Sequence, residues 1–184
     1  MLYHFSDQGD IERFAPRPPL AHPATEPFVF AIDAWHAPLY FFPRDVPRSG
    51  IWPVESTTAE DRSAFAQTFS GARMALLVPA EFAVAWRTGH VFRYSFAPNE
   101  TWLDTGDHGC WVSRETQTPI SVERLSDLPA LCAAEGVFAQ VVEDLPGLTA
   151  RWRATTLHVS AVRHRLLSGY PGAGGTPVRP AGGR

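Results

Sequence analysis

The sequence predicts an α+β domain with a mixed, mainly antiparallel sheet and short helices. Short alternating or continuously apolar segments typical of strands recur along the chain, interspersed with short amphipathic segments typical of helices. The two kinds of segment follow one another without the regular βαβ rhythm of a doubly wound sheet. A chain of 184 residues suits one domain with a sizeable core. We expect a single domain over residues 1–167 and a disordered, Gly- and Pro-rich tail over residues 168–184.

The first half of the chain combines short strands with a proline-rich loop. Apolar patterning predicts the strands, and Asp33 is a suitable N-cap for the helix that follows the second of them. Three hydroxyl residues at 56–58 cap the next helix in the same way. The expected elements are a strand over 1–5, a loop over 15–27, a strand over 28–32, a helix over 34–42, a short strand at 51–52 and a helix over 59–69.

The second half alternates strands and helices of similar length. Residues 74–78 fit a strand or a helix, because periodicity alone does not separate the two in a short apolar run. Pro79, Pro129 and Pro146 each suit the first turn of a helix, where a missing N–H group costs little. The expected elements are helices over 79–87, 127–135 and 145–155, strands over 90–96, 109–113, 120–125 and 137–142, a polar loop over 99–109, and a final strand or helix end over 157–166.

The basic residues of this protein are all arginine. The sixteen basic positions include no lysine, which excludes a Schiff-base lysine, a P-loop lysine and a kinase-type lysine. Any anion site must therefore use arginine, histidine or backbone N–H groups. Arginine suits this role because its planar guanidinium binds phosphate or carboxylate through two parallel hydrogen bonds.

The overall charge and hydropathy limit the classes of partner. A net charge of −3 gives no general attraction to nucleic acid. No apolar run approaches the ~20 residues that cross a bilayer, and the N-terminus does not resemble a signal peptide. We expect a cytoplasmic protein that binds a small ligand and neither bulk nucleic acid nor membrane.

Three aromatic or imidazole side chains are candidates for ligand contacts. If Tyr3 and Phe5 face the core, His4 faces the other side of its strand. There it can donate to a ribose hydroxyl or a phosphate, or serve as a hydrogen-bonded structural residue. His36 and Tyr40 lie four residues apart and share a face of the predicted helix. Tyr40 can stack on a planar ring or pack in the core.

Charged residues provide a second set of candidates. Arg44 and Arg48 lie in a loop that its prolines make rigid, so together they can clamp an anion at low entropic cost. The alternative is that Asp45 pairs with one of them and braces the loop. Glu115 follows a predicted strand and can act as a general base or bind a pair of ribose hydroxyls. The alternative for Glu115 is a surface ion pair.

The sequence predicts no metal site. Asp104, Asp107, His108 and Cys110 form the nearest approach to a ligand cluster, but their spacing is loose and the adjacent glycines favour a turn. Cys110 and Cys132 fit two reduced thiols.

Three sequence motifs resemble those of an uncharacterised family of short bacterial proteins. They are a YHFS strand at residues 3–6, an aromatic segment that ends in PRDVPR at residues 43–48, and a WVSRE segment at residues 111–115. The resemblance covers roughly residues 1–165. It implies no assigned activity.

A more distant resemblance is to the ADP-ribosyltransferase-like fold, which includes tRNA 2′-phosphotransferases and DNA-modifying ADP-ribosyltransferases. Residues 3–6 are similar to its early NAD-contacting strand, and residues 28–40 to the strand and helix whose aromatic residue stacks on nicotinamide. Residues 111–113, followed by 118–120, resemble the frame of the strand that supplies a catalytic glutamate. No carboxylate stands near residues 110–111 where that glutamate is expected, and Glu115 lies just downstream.

The residues and the resemblance together predict a nucleotide-binding protein, which is an NAD-using, ADP-ribosyltransferase-like enzyme if it is catalytic. The alternatives are a non-catalytic domain for a small anionic or nucleotide-like ligand, and a protein-interaction domain. The expected catalytic residues are Glu115 and His4. The expected cofactor-binding residues are His4, Ser6, Tyr40, Arg44, Arg48 and Ser113.

Overall fold

The structure of the protein, a computed structural model, describes residues 1–18 and 26–167. Its strands are β1 (Leu2–Ser6), β2 (Val29–Asp33), β3 (Arg48–Trp52), β4 (Met74–Pro79), β5 (Val91–Phe96), β6 (Trp102–Asp104), β7 (Cys110–Ser113), β8 (Ser121–Leu125), β9 (Val137–Val142) and β10 (His158–Val162). Its α-helices are α1 (Ala59–Thr68), α2 (Ala83–Thr88), α3 (Leu128–Ala134) and α4 (Leu145–Arg153), and its 3-10 helices are Ala37–Tyr40, Ala80–Phe82 and His164–Leu166. The predicted tail at 168–184 lies outside the described residues.

The strands form two sheets. One sheet has six strands in the order β6-β7-β2-β1-β5-β8, and all its neighbouring pairs are antiparallel. The other has four strands in the order β10-β3-β4-β9, and its β4–β9 pair is parallel. The predicted α+β class with mainly antiparallel pairing is confirmed. The expectation of one sheet is wrong, because alternating patterns reveal strands but do not assign them to separate sheets.

The main core lies between the two sheets. It joins Ile32 of β2 and Val91 of β5 to Trp52, Met74 and Leu76 of the second sheet. Most apolar side chains of the segment over residues 37–46 are buried in the same cluster, so they fill space between the sheets. Burial of aliphatic and aromatic surface on this scale is the main force that holds the two sheets together.

The predicted helix over residues 34–42 is replaced by a turn and the short 3-10 helix Ala37–Tyr40. Pro38 lies at the start of this helix and cannot donate a backbone hydrogen bond, which prevents extension of an α-helix through it. His36 and Tyr40 therefore do not share a helix face, and they line different cavities. Arg48, expected in a loop, is the first residue of β3.

Gly109 is required by the close approach of its turn to the end of β2. Its backbone has a φ of +80°, and its carbonyl oxygen accepts a hydrogen bond from the Asp33 N–H at 2.9 Å. A Cβ atom at this position would collide with His36 Nδ1 and would lie 2.7 Å from Asp33 Oδ2. Gly106 has a similar φ of +72°, but a Cβ atom there would meet no atom within 4 Å.

We expect Gly109→Ala to lower the free energy of unfolding by about 1–3 kcal/mol more than Gly106→Ala does, because only the former adds overpacking to backbone strain. Gly106→Ala supplies the strain alone, about 1–2 kcal/mol. Urea denaturation of both variants provides the comparison. Equal losses in the two variants would contradict the packing assigned to Gly109.

Candidate functional site

A cleft opens where the two central strands of the six-stranded sheet separate. The β1–β2 pairing includes Leu2 with Asp33 and Tyr3 with Ile32, and stops there. Beyond that point β1 remains paired with β5 on its other side. In place of a backbone hydrogen bond, the His4 side chain connects β1 to β2, because its Nδ1 donates to the Phe30 carbonyl oxygen at 2.8 Å.

The cleft has two lobes that share four side chains. The first lobe has a volume of about 350 Å³ and the second of about 330 Å³. The first has an aromatic wall made of Phe14, Phe28 and Phe30, and the second has one made of Phe5, Tyr40 and Phe42. Both lobes are lined by His4, Arg17, Arg44 and Arg163.

The charge of this cleft is one-sided. Arg165 adds a further guanidinium to the first lobe, and Arg48 adds one to the second. No aspartate or glutamate lines either lobe within residues 1–18 and 26–167. Converging arginines without carboxylates create a positive potential that favours an anionic ligand.

Arg48 is a buried cation, with 3% of its surface exposed. Its Nε donates to the Leu39 carbonyl at 2.8 Å and its Nη1 to the Val46 carbonyl at 3.0 Å. Its guanidinium carbon lies 5.3 Å from the ring centroid of Tyr40 and 5.1 Å from that of Phe42. Burial lowers the pKa of Arg48 to about 10, which leaves the group charged at neutral pH.

The charge of Arg48 has no carboxylate partner among the described residues. A buried charge without a counter-ion costs several kcal/mol, and the two carbonyl contacts compensate only part of that cost. A bound anion in the second lobe would supply the missing negative charge.

Arg163 is held in the cleft by an unusual backbone and a buried network. Its φ is +60°, a left-handed conformation that a residue with a side chain adopts rarely. The next residue, His164, is buried and has its Nε2 2.9 Å from Ser49 Oγ, which lies 2.6 Å from Thr149 Oγ1. This network anchors the 163–164 segment to β3 beside Arg48. Such strain is commonly found where function requires a fixed side chain.

His4 is held as a neutral imidazole with a defined tautomer. Because a carbonyl oxygen only accepts hydrogen bonds, the contact with Phe30 places the ring proton on Nδ1 and leaves Nε2 unprotonated. Burial lowers the pKa of His4, and the nearby charges of Arg17 and Arg44 lower it further, against the raising effect of the Phe30 contact.

The other predicted residues of this cleft have distinct surroundings. Tyr40 stacks on Phe5 with ring centroids 5.8 Å apart, and burial raises its pKa so that the phenol stays protonated. Arg44 is half-exposed and lies 3.5 Å from Asp7, a pair that water screens strongly. Ser6 lines the second lobe, and its Oγ accepts the Gln8 N–H at 3.2 Å.

Ser113 and Glu115 lie outside the cleft. Ser113 is fully buried, and its Oγ accepts hydrogen bonds from the Gln117 amide at 2.9 Å and from the Glu115 N–H at 3.1 Å. These bonds brace the turn after β7. The Glu115 side chain is exposed on that turn and lines neither lobe. The structure thus brings together His4, Ser6, Tyr40, Arg44 and Arg48 and places the remaining two elsewhere.

Three cleft arginines were not among the predicted residues. Arg17 precedes β2 in the chain, and Arg163 and Arg165 follow β10. No local motif marks them, because they reach the cleft only through the packing of β10 against β3 and of residue 17 against residue 28. The one available signal is their basic character in a chain without lysine.

A separate, open cavity of about 910 Å³ is lined by Trp35, His36 and Trp52 among other residues. Aromatic and imidazole rings cluster around Trp52 in this cavity. The ring centroid of His158 lies 4.3 Å from that of Trp52 and 3.6 Å from that of His108. His36 joins the group, with its Nδ1 2.9 Å from Asp33 Oδ1. Burial, together with the neighbouring His108, lowers the pKa of His158 to about 4.

Within residues 1–18 and 26–167, no group of three or more His, Cys, Asp or Glu side chains is arranged to hold a metal ion. No helix there combines the length and apolar character needed to cross a bilayer.

The fold and the cleft define a two-sheet α+β protein with a basic, aromatic-walled cleft. The chain belongs to the family of unknown function DUF6886, whose model matches residues 3–166. No curated protein and no solved structure matches the chain. The family match covers both sheets and every described residue that lines the cleft.

Protonation of His158 is expected to destabilise the fold in acid. Its pKa of about 4 in the folded protein is lower than the ordinary 6.5, so the unfolded chain binds more protons between these two values. The stabilising effect of a neutral His158 is complete above pH 6.5 and is lost as the pH falls towards 4. We therefore expect the urea midpoint of His158→Gln to depend less steeply on pH between 6.5 and 4 than that of the wild type.

His90→Gln is the matched control for this measurement, because His90 is exposed on the surface. Parallel pH profiles for the wild type and His158→Gln would contradict the assignment.

Proposed function

We propose that this protein binds a nucleotide-like ligand in the cleft between β1 and β2, with the phosphates of that ligand on the arginines. The observation that carries this proposal is the buried charge of Arg48, which has no carboxylate partner among residues 1–18 and 26–167. Because Arg48 is costly without an anion, its retention inside the fold is best explained by a ligand that neutralises it. Guanidinium groups bind phosphate oxygens through paired, charge-assisted hydrogen bonds.

The shape of the cleft supports a ligand with planar rings beside its phosphates. Arg17, Arg44 and Arg163 lie where the two lobes meet, and each lobe continues along an aromatic wall. Aromatic walls favour planar rings through stacking and burial of apolar area. A dinucleotide such as NAD, with a ring at each end of a diphosphate, fits this order of contacts, and so does a mononucleotide that fills one lobe.

The set of cleft residues favours binding over ADP-ribosyl transfer. Transfer by the route that the distant resemblance implies requires a carboxylate near the bound ribose, and Glu115 lies on the turn after β7 instead. His4 and Arg44 line one cavity, as a small-molecule site requires, so a domain that contacts only other proteins is the weaker alternative.

A thermal-shift titration with ADP, ADP-ribose and NAD tests the proposal. A ligand that binds only the folded state stabilises it by about 2.7 kcal/mol at one hundred times its Kd. We expect at least one of these ligands to raise the Tm of the wild type. We expect Arg44→Met to lose most of that shift, with little change in its own Tm, because the Arg44–Asp7 pair is half-exposed.

Arg124→Met is the matched control, since Arg124 is an exposed arginine on β8 that lines neither lobe. It should keep the full ligand-induced shift. No stabilisation of the wild type at millimolar ligand, or an equal loss of the shift in both variants, would refute a phosphate site at these arginines.

A further inference from the structure

His4 has a ring nitrogen that no other described side chain of the cleft matches as a nucleophile. The hydrogen bond from Nδ1 to the Phe30 carbonyl uses the proton of the neutral ring, so Nε2 carries a free electron pair. His4 makes no other hydrogen bond to residues in the described ranges. Its side chain lines both lobes at the point where the arginines converge.

The other nucleophiles of the cleft are weaker. The hydroxyl groups of Ser6 and Tyr40 need a base to remove their protons, and no carboxylate among the described lining residues supplies one. Burial also raises the pKa of Tyr40, which disfavours the phenolate. His4, by contrast, is kept neutral by burial and by neighbouring arginines, so its pair of electrons is available at neutral pH.

We propose that His4 Nε2 accepts a phosphoryl group from a phosphoanhydride bound by the cleft arginines, such as the terminal phosphate of a nucleoside triphosphate. This inference rests on the proposed function, because the phosphates must first bind at the cleft arginines. It adds a chemical step to what is otherwise a binding site.

The step balances without an added oxidant or reductant. The Nε2 electron pair forms a bond to the terminal phosphorus, and the bond from that phosphorus to the bridging oxygen breaks. The bridging oxygen leaves with the electron pair as part of a nucleoside diphosphate. The positive charge that develops on the imidazole is stabilised by the Nδ1–H···O=C contact with Phe30. Attack of water on the phosphoimidazole then releases orthophosphate and a proton and restores His4.

The composition of the cleft selects the class of substrate. An alkoxide leaving group needs a proton, and the described lining of the cleft, arginines without a carboxylic acid, offers no suitable acid to supply it. A diphosphate leaving group needs no proton, because its negative charge is stable and the arginines neutralise it. Phosphoanhydrides are therefore expected as substrates, and alkyl phosphate monoesters are not.

Phosphorylation is tested directly with ATP labelled in its terminal phosphate, with and without Mg²⁺. The wild-type chain is quenched in alkaline detergent, because a phosphoimidazole survives alkali and is hydrolysed in acid. We expect an acid-labile label that mass spectrometry assigns to His4. We expect its loss to background in His4→Gln, whose amide can still donate to Phe30, and its retention in His90→Gln. Thermal shift with unlabelled ATP is measured on the same samples, and orthophosphate release is followed in parallel.

The outcomes separate this inference from the proposed function. A Tm shift with ATP but neither label nor orthophosphate release in the wild type would overturn the role of His4 and leave the binding site intact. A label that persists in His4→Gln, or that maps to another residue, would also overturn it. The absence of any shift with ATP, ADP, ADP-ribose and NAD would refute the proposed function itself. If His4→Gln does not fold, the position of the label in the wild type decides the question.

Discussion

The hydrogen bond between His4 and Phe30 is the constraint on which the cleft depends. The backbones of β1 and β2 pair at Leu2 and Tyr3 and then separate, which opens the cleft. Beyond that point the His4 side chain still joins β1 to β2. Without this contact, the part-buried carbonyl oxygen of Phe30 would lose its partner, which costs up to about 1–3 kcal/mol. The same contact fixes the tautomer of His4. One side chain thus sets the shape of the site and the chemistry available in it.

Arg48 connects the cleft to the core between the sheets. Its guanidinium contacts Tyr40 and Phe42, which belong to the segment that fills the space between the two sheets. The buried hydrogen bonds of Ser49 and His164 then hold Arg163 close to the same point. The protein therefore places the buried charge of Arg48 next to the half-buried Arg163, which is unfavourable for folding and favourable for binding an anion.

The sequence predicted the types of element better than their arrangement. The apolar run at 28–32 and the alternation at 90–96 correspond to β2 and β5, because these patterns follow directly from the geometry of a strand. The helix expected over 34–42 did not form as an α-helix, since Pro38 outweighed the amphipathic spacing. In the site, the aromatic and arginine candidates near β1 and β3 meet in one cleft. The positions of Arg163 and Glu115 depend on tertiary packing, and local patterns carry no information about it.

The central claim is that the guanidinium of Arg48 faces a bound phosphate, and NMR of the arginine Nε–H groups tests it most directly. Resonances are assigned with Arg48→Lys, Arg44→Met and Arg124→Met, and ADP is then titrated into the wild type. The account predicts saturable shifts of the Arg48 and Arg44 signals with a single Kd, while the Arg124 signal stays in place. Saturable shifts confined to other arginines, or no shift of Arg48 at saturating ADP, would contradict it.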